Sequence, residues 1–252
     1  MTTIEVPGAT LYVERAGDGP PLLFVSGSGS ALADGMGPAL LPLNQSFDVI
    51  GWDHRGLGQS TSEEPSPTMA DYARDGFALA DALGLKEFRL VGVSFGGMVA
   101  MEMAVTHPER ITALGLVCTS AGGAGGASYP LHERPSPESM ALLVDTRPGV
   151  AAQLMGLLGE RPPPAEPGYA RQLEARRTHD VWDRLARISC PTLVQGGRYD
   201  GIAPPANSEA IASRVVGARL ELYEGGHAFL YQDPRAFADL AAFLRGEGED
   251  GA

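Results

Sequence analysis

The spacing of apolar residues changes period repeatedly along this chain. "TLYVERAG" (10–17) alternates apolar and polar positions, the period of a half-exposed strand. "PLLFV" (21–25) is a short unbroken apolar run, as in a strand buried on both faces. Residues 31–44 have helix-like spacing, and "FDVIGWD" (47–53) reads as the next strand. Helical spacing returns over "MADYARDGFALADALGL" (69–85), with Tyr72, Phe77, Leu79 and Leu83 as expected core contacts. A strand "FRLVGVS" (88–94), a helix "GGMVAMEMAVTH" (96–107) and a strand "ITALGLVC" (111–118) follow. Strand and helix in turn predict parallel strands joined by helical crossovers.

The alternation then stops. "TSAGGAGGASYP" (119–130) reads as a loop. Helical pieces are expected at 136–146, 148–159 and 167–186, with "GERPPPAEPG" (159–168) between the last two. Three consecutive prolines end any helix there, because each lacks a backbone donor. Strands return with "PTLVQGG" (191–197) and "RLELYEG" (219–225), separated by the helix-like "NSEAIASRVV" (207–216). "PRAFADLAAFLRG" (234–246) is the closing helix. The fold class is therefore α/β, a mostly parallel sheet with helices on both faces. Residues 1–120 and 188–252 form its core, and 121–187 form a helical insertion.

Composition narrows the function. The chain of 252 residues carries a formal net charge of −12, and its single lysine is Lys86. Such an acidic chain offers no footprint for nucleic acid or an anionic membrane. No apolar stretch approaches the roughly 20 residues that span a bilayer. The N-terminus has no basic region followed by an apolar run, so the expected compartment is the cytoplasm. Cys118 and Cys190 each sit in an apolar run and are read as buried and reduced.

The chemistry gathers at three strand ends. Gly92-Val93-Ser94-Phe95-Gly96 has the spacing G-x-S-x-G, with a strand before it and a helix after it. A sharp strand-to-helix turn strains the serine and demands small neighbours. With 33 glycines in the chain, the spacing alone is a weak signal, and its context carries the weight. A serine hydroxyl needs a base to take its proton. "GRYDGIAP" places Asp200 just past one later strand, and "GGHAF" places His227 just past the next. Parallel strands put these ends on one edge of the sheet, so Ser94, Asp200 and His227 should converge.

The motifs "GVSFGG", "DHRGLGQS", "GRYDGIAPP" and "GGHAF", in this order, resemble the α/β-hydrolase fold superfamily. The insertion looks like the cap of its small esterases and lactonases. The run "THDVWDRLARISCPTLV" most resembles enol-lactonase and carboxylesterase-like members. The resemblance implies a catalytic triad of Ser94, Asp200 and His227, with no cofactor and no metal. It also implies an oxyanion hole made by the backbone N–H groups of Phe95 and Ser28. Family members usually begin that loop with His-Gly, whereas here it is Ser26-Gly27. That change leaves open how the loop is braced.

A competing reading takes Gly27 and Gly29 as a dinucleotide-binding turn, with Asp53 as the ribose-binding acid of an NAD-dependent oxidoreductase. Leu32 replaces the third glycine of that fingerprint, and Ser94, Asp200 and His227 are left without roles. The hydrolase reading uses all of them and is preferred. The expected activity is hydrolysis of a small carboxylic ester or lactone through an acyl-enzyme on Ser94. A carbon–carbon bond hydrolase or cofactor-free perhydrolase would use the same triad. Within the insertion, Tyr169, Leu173 and Arg177 share one helical face, read as facing inward. That reading makes Arg177 a substrate-binding candidate, with His179 as a second. Arg176 is expected to pair with Asp180 at the surface, and Arg177 competes with a bland pairing to Glu174.

Overall fold

The computed structural model describes residues 2–129, 142–150, 153 and 167–247. Eight strands form one sheet: β1 Thr2–Val6, β2 Ala9–Ala16, β3 Pro21–Val25, β4 Asp48–Trp52, β5 Phe88–Val93, β6 Ile111–Val117, β7 Thr192–Gly197 and β8 Arg219–Tyr223. Their order is β1-β2-β4-β3-β5-β6-β7-β8. The first two pairings, β1 with β2 and β2 with β4, are antiparallel. All the others are parallel. The sheet is thus mostly parallel, as the alternation of periods predicts.

Among the described residues outside 142–153, the helices are α1 Met69–Ala82, α2 Phe95–Thr106, α3 Gly168–Arg177, α4 Pro205–Arg214, the short α5 Phe229–Gln232 and α6 Arg235–Leu244. Helix α1 starts at a capping box, in which the Asp71 carboxylate accepts from the Thr68 backbone N–H at 2.7 Å. Residues 31–44 do not form the helix that their spacing suggests. They fold as short 3-10 turns at Leu32–Asp34, Pro38–Leu40 and Pro42–Gln45. Gly35 takes a left-handed φ of 92° and ends the first turn. Pro38 and Pro42 each withhold a donor that a continuous helix would need.

Period-two alternation along the strands divides the core between two faces. Leu23 and Val25 of β3, with Leu114 and Leu116 of β6, pack on one side with α1, α2 and α4. Leu22, Phe24, Ala113 and Val117 point to the other side, against α6 and the segment Leu41–Phe47. A buried ion pair ties the loop after β4 to α1. Arg55 donates to both carboxylate oxygens of Asp75 at 2.7 and 2.5 Å, and both side chains are almost wholly buried.

The segment between β6 and β7 holds α3 and a 3-10 turn at Trp182–Arg187. Of the helical pieces expected at 136–146 and 148–159, residues 142–144, 150 and 153 are helical, and 145–149 are not. The remainder of those pieces lies outside the described residues. The piece expected at 167–186 is shorter than its pattern suggests. Helix α3 ends at Arg177, and Asp180 then forms an isolated antiparallel bridge with Gly122. Among the described residues, no helix is long and apolar enough to cross a membrane.

Candidate active site

Ser94 is the single residue between β5 and α2, with φ 55° and ψ −115°. An L-residue in that region costs about 1–3 kcal/mol, so its surroundings must hold it there. Its N–H donates to the Val117 carbonyl at 2.8 Å, and its carbonyl accepts from Thr119 Oγ1 at 2.8 Å. The neighbouring glycines are steric requirements. A Cβ on Gly92 would lie 2.2 Å from the Gly96 carbonyl oxygen, and one on Gly96 would lie 2.0 Å from that of Val25.

The strand ends bring the three expected side chains together. Ser94 Oγ lies 3.0 Å from His227 Nε2, and His227 Nδ1 lies 2.8 Å from Asp200 Oδ2. The other Asp200 oxygen accepts the N–H groups of Ile202 and Ala203, both at 2.8 Å. The carboxylate is therefore fixed on both sides and wholly buried. Burial opposes a charge on His227, but the adjacent Cys118 and the Asp200 carboxylate outweigh it and raise its pKa well above 6.5. Cys118 follows β6 directly, at a positive φ of 40°. Its sulfur and the ligand atoms of Asp200 and His227 all lie within 4.8 Å of one another. Both cysteines are free and buried, as their apolar surroundings suggest.

The loop after β3 faces this turn. A Cβ on Gly27 would lie 3.6 Å from Ser94 Cβ. Among the described residues, the N–H groups of Ser28 and Phe95 have no protein acceptor. Two braces hold the loop. The Ser26 carbonyl lies 3.0 Å from His54 Nε2, and the Gly29 N–H donates to Gln172 Oε1 at 2.7 Å. His54 is packed edge-on against Trp52, Tyr72 and Phe95, and burial pushes its pKa down to about 4. It is therefore neutral, and Nε2 must carry the proton that Ser26 accepts. The Ser26 hydroxyl reaches the Ser30 carbonyl only at 3.4 Å, so it is a weak brace. Asp53 accepts from the N–H groups of Leu32 and Gln59 at 2.7 and 2.8 Å. Both of its oxygens serve the fold, and the glycine loop opens no long helix that could face a pyrophosphate.

Residues 20–153 match the model of the alpha/beta hydrolase fold. The chain belongs to that family. It is 28% identical over 255 residues to the "Putative carbamate hydrolase RutD" of Azorhizobium caulinodans, covering 95% of this chain and 96% of that one. Its fold superposes on a thermophilic esterase from Thermogutta terrifontis with a TM-score of 0.76 at 26% identity, covering 98% and 99% of the two chains. The enol-lactonase from Burkholderia xenovorans LB400 gives a TM-score of 0.80 at 23% identity, covering 98% and 100%.

In this α/β hydrolase, α3 lies over the loops that follow β3, β4 and β6. Its buried face is Gly168, Gln172 and Ala175, and not the expected Tyr169, Leu173 and Arg177. The reason is steric. Gly168 sits so close to Gly56 that a Cβ would lie 2.0 Å from the Gly56 carbonyl oxygen. The small face of the helix therefore docks. Arg177 makes the surface pairing with Glu174, at 2.9 and 2.6 Å and with 59% of its side chain exposed, and it also borders a cavity under the helix. Arg176 is half-buried and donates to the Tyr129 carbonyl. His179 is buried, and its ring nitrogens meet no hydrogen-bond partner among the described residues. Burial pushes its pKa down to about 4. It lines a cavity of about 300 Å³ with Met98, Ser120, Leu173, Arg176 and Arg177.

Two features were invisible to pattern reading. Gln172 carries no hydrophobic signal, and its partner lies 143 positions away. The segment around Val144 and Asp145 also reaches the site. The His227 N–H donates to the Val144 carbonyl at 2.6 Å, and Asp145 accepts from Gln232 at 2.8 Å and from Arg147.

Proposed function

We infer that this protein is a serine hydrolase that cleaves a small carboxylic ester or lactone through an acyl-enzyme on Ser94. The observation that carries this reading is the chain of two hydrogen bonds from Ser94 to His227 to Asp200 at 3.0 and 2.8 Å. His227 takes the Ser94 proton as Oγ attacks the carbonyl carbon. Asp200 holds the tautomer that leaves Nε2 free to accept, and it stabilises the imidazolium that forms. The N–H groups of Phe95 and Ser28 stabilise the oxyanion, a contribution of about 2.7–4 kcal/mol for each donor. His227 returns the proton to the departing alcohol. A water activated by the same imidazole then releases the acid. The segment 121–187 acts as the cap, and the cavity beside Met98 and His179 takes the part of the substrate remote from the reacting carbonyl.

The likeness to the Thermogutta esterase supports an ester substrate. The likeness to the carbamate hydrolase relative favours a second reading, a carbamate. A carbamate carbonyl presents the same attack geometry, with nitrogen donation making it a poorer electrophile. A panel of esters, lactones and carbamates of varied acyl length tests both readings, with Ser94→Ala as the blank. The expected result is turnover by wild type and a loss of many thousandfold in Ser94→Ala. Ester hydrolysis by Ser94→Ala at the wild-type rate would refute the nucleophile.

A further inference from the structure

The oxyanion loop and α3 are joined by one hydrogen bond, from the Gly29 N–H to Gln172 Oε1 at 2.7 Å. Gln172 is fully buried. Because a backbone donor faces it, the amide oxygen must point at the loop, and Nε2 points away. That Nε2 has no partner among the described residues. A buried donor left without an acceptor costs about 1–3 kcal/mol, which offsets what the glutamine gains by accepting from the Gly29 N–H. The glutamine is therefore poorly explained by packing.

The loop geometry supplies a reason. The Ser30 N–H donates to the Gly27 carbonyl at 3.3 Å, closing a four-residue turn with Ser28 and Gly29 at its centre. Gly29 has a φ of 68°, the left-handed third residue that a type II turn requires. The Ser28–Gly29 peptide shares the Ser28 Cα with the peptide that carries the Ser28 N–H, so a shift of the turn at Gly29 tilts that N–H as well. Gln172 holds that peptide by its N–H. His54 holds the other end of the loop by the Ser26 carbonyl. Between these two anchors lies the Ser28 N–H, and the histidine that usually opens this loop is absent.

We propose that Gln172 is a positioning residue which, from the cap, fixes the Gly27–Ser30 turn and so aims the Ser28 N–H at the oxyanion. The cap thereby completes the oxyanion hole as well as covering the substrate. This rests on the serine-hydrolase reading of the site. It separates two roles for one helix, since a covering residue alters substrate binding and a positioning residue alters the barrier.

The test uses the full-length protein and a fluorophosphonate, which reacts with an activated serine whatever the natural substrate. Gln172→Met keeps length and removes the acceptor, and Gln172→Leu serves if methionine does not fold. Ser28→Pro deletes the aimed donor itself, and proline suits the second position of a type II turn. We expect Gln172→Met to be labelled about 10- to 100-fold more slowly than wild type. On a 4-nitrophenyl ester, kcat should fall by a similar factor at unchanged KM, with the melting temperature little changed. In the Ser28→Pro background, Gln172→Met should add nothing, because both changes act on one donor. Labelling of Gln172→Met within about twofold of wild type would overturn the proposal. So would a rise in KM at constant kcat, or a full additive loss on Ser28→Pro. Undiminished labelling of Ser94→Ala, or none of wild type, would overturn the serine reading and this proposal with it.

Discussion

Replacing Asp200 by asparagine should abolish catalysis without unfolding the protein, and the local hydrogen bonds say why. One oxygen of Asp200 accepts two backbone donors, Ile202 and Ala203, both at 2.8 Å. In Asp200→Asn the amide oxygen must keep that position, because its NH2 group cannot accept. The NH2 group is then forced towards His227 Nδ1, which lies 2.8 Å from Asp200 Oδ2. Two donors cannot face each other, so the imidazole shifts its proton to Nε2. Nε2 can then no longer accept from Ser94 Oγ, now 3.0 Å away. A wrong tautomer in such a triad lowers kcat by about 10⁴, or ~5.5 kcal/mol of barrier. The two backbone donors and His227 Nδ1 all keep a partner in the variant, so stability should change little. Asp200→Ala differs, because it strands two buried N–H groups at about 1–3 kcal/mol each. The assay is kcat with a 4-nitrophenyl ester, paired with thermal melts of both variants. Asp200→Asn activity within about tenfold of wild type would refute the tautomer argument, since that argument requires a loss near 10⁴. An Asp200→Ala melt equal to that of Asp200→Asn would refute the role assigned to the two backbone donors.

The pKa of His227 is raised above 6.5, and the base must be neutral, so kcat/KM should fall as pH drops through a value above 6.5. A pH–rate profile reads this directly, and an acid limb at or below 6.5 would contradict it. The same shift means that protonated His227 favours the folded state fully below its unfolded pKa of about 6.5, and that this contribution is lost as pH rises through the folded value. Asp75→Asn leaves Arg55 charged and nearly unexposed. It should lower stability by about 3–5 kcal/mol in urea unfolding, and a change below about 1 kcal/mol would refute that expectation. Arg177 borders the cavity, but its charge is already paired with Glu174, so Arg177→Met should change charged and uncharged ester substrates alike. A selective loss of roughly 1.5–3 kcal/mol on the carboxylate-bearing ester would show instead that its charge contacts the substrate.

The sheet was legible because its strands obey simple periods. β3 is a continuous apolar run buried on both faces, and β5 leads into a glycine-flanked serine. The convergence of Ser94, Asp200 and His227 followed from parallel strands ending on one edge. β1 escaped notice because "TTIEV" is a mostly exposed edge strand, and only Val6 of it is buried. The 31–44 segment has helical apolar spacing, but Pro38, Pro42 and the left-handed Gly35 divide it into separate turns. The α3 face was misjudged for the opposite reason. Hydrophobicity pointed to Tyr169 and Leu173, but backbone approach at Gly168 decided which side docks. Contacts set by the absence of a side chain leave no apolar signature.

The Gly56–Gly168 seam also bears on how such an enzyme can be retuned. Substrate range is usually altered by randomising the helix that covers the pocket. Here that helix rests on a main-chain-to-main-chain footing with no room for even one methyl group at Gly168. A library that varied the whole of α3 would be dominated by members in which α3 is levered off its seat. Holding Gly168 and Gly56 fixed while diversifying Tyr169, Leu173 and Arg177 would spend the diversity on positions outside the helix's buried docking face.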